Sequence, residues 1–132
     1  NEEALKETDL KSLLLAYARG VPQKGYVVLS GFIPRLEENF KFLQALREQI
    51  LNSVNKATTL GFGPRFLHST GQLHKGGQPG GLFFHFTKDA ELDFEIPGEG
   101  MSFGTLQRAQ ALGDLQALVQ KERHALRIHL KS

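Results

Sequence analysis

The sequence predicts an α/β layered fold with a mostly parallel sheet flanked by helices. Three observations carry this. Tyr26–Ile33 and Leu82–Thr87 are nearly continuous apolar runs, the pattern of strands buried on both faces as parallel strands are. Three amphipathic stretches, at 9–19, 36–55 and 103–122, alternate with the apolar runs. Strand and helix signals in alternation favour parallel pairing, because a parallel neighbour is reached through a crossover helix. The chain, 1–132, reads as one domain: 132 residues, 40% of them hydrophobic, suffice for one ordinary core.

Each element follows from its pattern. From Asp9 to Arg19, Leu10, Leu13, Leu14 and Tyr17 fall on one helical face, with Asp9 as the expected cap and Gly20 as the stop. Pro22 and Gly25 mark a turn before the first strand, and Pro34 ends that strand. Leu36 to Asn55 carries Leu36, Phe40, Leu43, Leu46, Ile50 and Val54 at three- and four-residue intervals, with charged residues on the other side. Thr58 to Gly63 reads as a short strand with a glycine-rich exit, and a loop is expected from there to Gly81. After Leu82–Thr87, Leu92, Phe94 and Ile96 alternate with Asp93 and Glu95, the period of a half-exposed strand. Phe103 to Glu122 predicts a helix capped by Ser102, with Leu106, Ala109, Leu112, Leu115, Leu118 and Val119 inside. Ala125 to Leu130 closes the chain as a strand.

Composition narrows the chemistry. There is no cysteine, so disulfides, thiolate catalysis and cysteine-ligated zinc are excluded, and a reducing, cytoplasmic setting fits. No apolar run approaches the ~18 residues expected of a membrane span, and the acidic start Asn1-Glu2-Glu3-Ala4 is unlike a signal peptide. The net charge is +2, with Lys and Arg scattered, so no basic stripe follows a nucleic-acid backbone.

One segment is unlike the rest. Gly61 to Gly77 holds two His, one Arg, one Lys, two hydroxyls, one amide and five glycines in seventeen residues. It follows a strand, and the exits of parallel strands are where open α/β sheets bind ligands. Glycines let backbone N–H groups approach an anion. Arg65 and Lys75 offer charge to a phosphate, while His68 and His74 transfer protons near neutral pH. A plain surface loop whose glycines only serve turns fits the same composition. Lys75 precedes its glycine pair, so this is not a Walker loop, and no His-Glu-x-x-His frame is present. A His68–His74 metal site lacks a third ligand.

The remaining candidates read as structural. His85 lies in an apolar strand and is expected to be buried with its hydrogen bonds satisfied. His124 and His129 read as terminal surface residues, and Glu91, Asp93 and Glu95 as a solvated strand face. Arg108 and Gln110, near a helix start, are read as solvated although helix N-termini favour anions.

The string GPRFLHSTGQLHKGG, Gly63 to Gly77, resembles the C-terminal signature of bifunctional transaldolase/glucose-6-phosphate isomerase fusions. LDFEIPG from Leu92 and FGTLQRAQALGDL from Phe103 are similar to the same region, as is the strand at Tyr26–Ile33 with its following helix. The resemblance covers nearly the whole chain. It implies a sugar-isomerase (SIS)-like fold and interconversion of glucose 6-phosphate and fructose 6-phosphate. The implied partners are a sugar-phosphate substrate, an upstream isomerase subdomain and a transaldolase domain; a homodimer is among the assemblies it allows. Neither metal nor organic cofactor is implied. In sugar-isomerase folds the phosphate is held mainly by hydroxyls of the other subdomain.

Ordinary phosphoglucose isomerases carry a looser match, Gly-Gln-His-x-x-Tyr-Gln-Leu-x-His-Gln-Gly. By position His68 inherits the role of the histidine that assists opening of the sugar ring, and His74 matches the second histidine. Arg65, Ser69, Thr70, Gln72, His74 and Lys75 are then expected to shape the substrate pocket or polarise its oxygens. Two departures stand out. Asn52 occupies the place of the glutamate base, and Asp114 follows Gly113 where the family has a ring-opening lysine. These departures keep open the alternative of a non-catalytic module that binds a sugar phosphate.

Overall fold

The computed structural model describes residues 7–68 and 70–131, and both the acidic start and Ser69 lie outside them. The elements in chain order are α1 (Glu7–Arg19), β1 (Tyr26–Phe32), α2 (Glu37–Val54), β2 (Ala57–Phe62), a 3-10 turn (Arg65–His68), α3 (Thr70–Gly76), β3 (Gly81–Lys88), α4 (Phe103–Gln120) and β4 (His124–Leu130). The four strands form one all-parallel sheet in the order β2-β1-β3-β4. In register, Leu29 lies between Leu60 and Phe84, and Ser30 between Gly61 and His85. The chain leaves β1 toward β2 on one side and later returns to β3 on the other. The order therefore reverses between β1 and β3, the position at which crevices open at the carboxyl ends of parallel strands.

Strand alternation divides the side chains between two faces. Val27 and Leu29 of β1 and Leu82, Phe84 and Phe86 of β3 pack against Leu14 and Ala18 of α1 and Leu43, Leu46 and Ile50 of α2. The opposite face is smaller and broken into two clusters. Val28 and Phe83 meet Leu118 of α4, while Phe32 meets Phe66 of the 3-10 turn and Ala111 of α4. This second face also carries the buried polar residues Ser30 and His85.

Helix α2 forms as its spacing predicts. Glu37 and Glu38 in its first turn complement the positive end of the helix. Asn55 ends it in the left-handed conformation, donating its N–H to the Leu51 carbonyl. Only Leu43, Leu46 and Ile50 are fully buried; Leu36 and Phe40, also expected inside, are exposed. In α1 the buried residues are Leu14 and Ala18, with Leu13 and Tyr17 exposed, and the helix already includes Glu7, so Asp9 is not its cap. Helix α4 keeps its predicted cap, since Ser102 Oγ accepts from the Thr105 N–H at 3.1 Å.

Two expectations are corrected. The half-exposed strand read at Leu92–Ile96 does not join the sheet. Its residues form an excursion closed by a single antiparallel bridge, Glu95 to Ser102, leaving Leu92 81% and Phe94 69% exposed. Asp93 there accepts from the Gly104 N–H at 2.8 Å; a Cβ at Gly104 would lie 2.6 Å from that carboxylate, so glycine is what admits the cap. The inner face of α4 is only partly the predicted one: Leu118 is inside as expected, but it shares that face with Asp114. Ala111, Asp114 and Leu118 are buried, whereas Leu106, Leu112 and Val119 are exposed.

Candidate functional site

The segment 61–77 is not the open loop expected from its composition. β2 ends at Phe62, and the Gly63 N–H donates to the Gly31 carbonyl at 2.9 Å, keeping the strand exit tied to β1. A Cβ at Gly63 would lie 2.5 Å from the Phe32 ring, so only glycine fits. The chain then turns through a cis Gly63–Pro64 peptide into Arg65–His68. Phe66 anchors this turn by inserting edge-on against Phe32, with ring centroids 5.4 Å apart. Helix α3 follows and closes when the Gly77 N–H donates to the Leu73 carbonyl.

This local fold separates the predicted site residues into two groups. Arg65 and His68 are exposed at the two ends of the 3-10 turn. A 3-10 helix has about three residues per turn, so side chains three apart project from the same side. Arg65 and His68 are therefore one such turn apart; Arg65 lines the recess at the ends of β1 and β2, and His68 is not among its lining residues. Gln72 is exposed on α3; for Thr70 only the backbone position, the first residue of α3, is described, and Ser69 lies outside the described residues.

His74 and Lys75 face inward instead. The His74 ring is packed 6.0 Å from Phe66 and 5.4 Å from Phe83, centroid to centroid. Burial pushes its pKa below the usual imidazole value, Asp114 opposes the shift and Lys75 adds to it. Lys75 Nζ lies 2.8 Å from Asp114 Oδ1 in a largely buried ion pair. Lys75 is thus not the partner of Arg65 in a phosphate cradle: its charge is already matched by a carboxylate.

Asp114 also lies 3.3 Å from His85 Nε2, in a geometry too poor for a hydrogen bond. His85 is buried as expected, at 1% exposure, but neither ring nitrogen has a hydrogen-bond partner among the described residues, which corrects the expectation of a satisfied histidine. Burial dominates its titration and drives its pKa down to about 4, against the pull of Asp114 and with smaller help from His74 and Lys75. The ring is therefore neutral at pH 7. His74, Lys75, His85 and Asp114 make one polar cluster between α3, α4 and the sheet. Asp114 was missed as a functional candidate, although its spacing from Ala111 and Leu118 on a buried helical face was a usable signal.

Two recesses adjoin the segment. A groove of about 390 Å³ opens beside α3, walled by Tyr26, Val28, Leu60, Phe66, Leu73 and His74. A shallower crevice of about 530 Å³ opens at the carboxyl ends of β1 and β2, lined by Arg35, Arg65 and Gln107 among others. Leu60, Gly61 and Phe66 line both. Arg35 was also missed, although it follows the exit of β1 as Arg65 follows that of β2. A third recess, at the ends of β3 and β4, contains Lys88, Arg108, Arg127 and His129. Most of its polar groups are matched: Lys88 to Glu91, Arg108 and His129 to Asp89, and Arg127 to the Thr87 hydroxyl. His129, read as a terminal surface residue, also contacts the Thr87 hydroxyl at 3.1 Å.

Among the described residues no group of three His, Asp or Glu is arranged to hold a metal ion, and no helix is long and apolar enough to cross a membrane. No family model matches the chain, and no curated protein matches it. A solved structure of a hypothetical protein from Thermus thermophilus is similar to it with a TM-score of 0.72 and 22% identity over 92% of this chain. This chain spans 33% of that one. At such identity the likeness concerns the fold alone, and it agrees with a layered α/β domain built on a parallel sheet.

Proposed function

We propose that this chain is the C-terminal portion of a glucose-6-phosphate isomerase of the transaldolase-fusion type, acting on a sugar phosphate without a metal or organic cofactor. The observation that supports the reading is that Arg65 and His68 are both exposed on a short turn that follows β2 at the carboxyl edge of a parallel sheet. Ring opening needs a proton donor and acceptor near the ring oxygen and the anomeric hydroxyl, and isomerisation then moves a proton between C2 and C1 through a cis-enediol. His68 supplies the acid–base group for the first step, with Arg65 and Gln72 beside the sugar. His74, whose pKa burial lowers, lines the adjoining groove and can accept a hydrogen bond there. Lys75 acts through the ion pair that fixes α3 to α4.

The test is turnover by the full-length protein. His68→Ala should slow conversion of the cyclic sugar phosphate by about 10²–10⁴-fold, the usual effect of losing one acid–base group. An analogue that is already open-chain should be far less affected. Equal loss on both substrates would move His68 out of ring opening, and wild-type protein that binds the sugar phosphate without isomerising it would leave a binding module in place of an enzyme.

A further inference from the structure

We infer that Arg35 and Arg65 together form an oxyanion subsite for a phosphate dianion, in the crevice at the carboxyl ends of β1 and β2. The inference goes beyond the isomerase reading, which draws its phosphate cradle from another subdomain, and it does not depend on that reading. Four observations carry it. Both arginines line the same recess, together with Gln107 from α4. Among the described residues no Asp or Glu lines it, so these walls carry two positive charges and no negative one. Among the described residues neither guanidinium has an ion-pair partner, whereas the lysine and arginines of the neighbouring recess are matched to acids or a hydroxyl. The Arg35 guanidinium also lies over the Phe62 ring, 5.9 Å from its centroid.

That last contact determines what Arg35 can do. An arginine held over an aromatic ring keeps the N–H groups along its edge free to donate to an oxyanion. Phe62 is the last residue of β2, and Arg65 follows three residues later on the anchored turn. Both cations are therefore carried on parts of the chain that the sheet fixes, and less ordering is required when the ligand arrives. Two forks and an amide, with no carboxylate to repel the ligand, suit the three terminal oxygens of a phosphate monoester better than a singly charged carboxylate. Lys75, the second cation expected from sequence, is replaced in this role by Arg35.

The test is anion titration of the full chain followed by amide NMR, using inorganic phosphate, glucose 6-phosphate, glucose and acetate. Inorganic phosphate and glucose 6-phosphate should produce saturable shifts at 33–35, 61–65 and 107, weakening as salt rises; glucose should produce none and acetate much weaker ones. Arg35→Gln and Arg65→Gln should each weaken phosphate binding by about tenfold or more, and Arg35→Lys should be intermediate because it keeps charge but loses the fork. Both side chains are exposed, so these variants should fold. Lys88→Gln, in the neighbouring recess, should bind as wild type. The inference is overturned if the arginine variants bind phosphate normally, if acetate binds as well as phosphate, or if the shifts centre on Lys88 and Arg108. Phosphate binding of the expected kind in a protein without isomerase activity would leave the subsite standing and remove the enzymatic reading. Isomerase activity with normal phosphate binding in both arginine variants would do the reverse.

Discussion

His85 makes the stability of this fold depend on pH, with a sign and size set by its surroundings. The ring lies on the α4 side of the sheet at 1% exposure, 5.5 Å from the Phe32 ring, and its charged form has lost its water. Asp114 favours that charged form, while His74 and Lys75 disfavour it, and burial outweighs all three. The folded-state pKa is about 4, against 6.5 for the exposed side chain. Since the folded value is depressed, the unfolded chain takes up a proton as pH falls through 6.5 and the folded chain does not follow until about 4. Stability is therefore level above pH 7.5 and lost progressively on acidification. One pH unit of displacement corresponds to about 1.4 kcal/mol, so the loss between pH 7.5 and pH 5 is about 2 kcal/mol, and it approaches about 3 kcal/mol at lower pH.

The measurement is urea unfolding of the wild type and of His85→Gln at pH 7.5 and pH 5. Glutamine does not titrate, and the exposed carboxylates and His74 remain in both proteins, so their contributions largely cancel in the difference. The wild type should lose about 2 kcal/mol more than the variant across this interval, equivalent to a melting temperature lower by roughly 6–10 °C in a domain of this size. Parallel losses in the two proteins would show that His85 is not the linked group. A wild type that gains stability relative to the variant on acidification would refute the reasoning outright. It would mean that Asp114 outweighs burial and that His85 is held as the imidazolium.

Two further outcomes test the frame around the site. Leu43, fully buried where α2 crosses the sheet, should cost about 2–5 kcal/mol as Leu43→Ala, read from the denaturant midpoint at unchanged slope. Ser102→Ala removes the acceptor for the Thr105 N–H and should cost about 1 kcal/mol in the same measurement; no loss would mean that Asp93, bonded to the Gly104 N–H, caps α4 without help.

The fold was legible wherever pattern and partner agreed. The apolar runs at β1 and β3 have neighbours on both edges and helices or turns on both faces, so nearly every residue is covered, as an unbroken apolar run requires. In α2 the three- and four-residue spacing identified Leu43, Leu46 and Ile50, but spacing does not show where the sheet ends. Leu36 and Phe40 lie near the start of the helix and remain exposed. In α4 apolar residues occur nearly all the way round, so periodicity could not choose a face. The choice fell on the one containing Asp114, which Lys75 and His85 meet from α3 and β3. The alternation at Leu92–Ile96 was correct for a strand, but alternation supplies no hydrogen-bonding neighbour. β4 pairs with β3 and fills that side of the sheet. In the candidate site, composition identified the segment but could not tell which cation faces water.

That distinction follows from the cost of burying charge. A carboxylate as enclosed as Asp114 is unstable without a cation beside it, and removing either member of such a pair leaves an uncompensated charge. Lys75, with a flexible stem and a compact ammonium, reaches Asp114 from the last turn of α3 and stays only 22% exposed. Once paired, it has little charge left to offer a ligand. The arginines at the strand exits are under no such constraint. Arg35 rests on Phe62 and Arg65 on a turn anchored by Phe66, so each keeps a fixed base and a solvated head. The glycine-rich segment therefore has two tasks. Its second half locks α3 against the back of the sheet through a buried ion pair. Its first half, with Arg35 lining the same recess, leaves a positive edge with no acid among the described lining residues where a parallel sheet opens toward solvent.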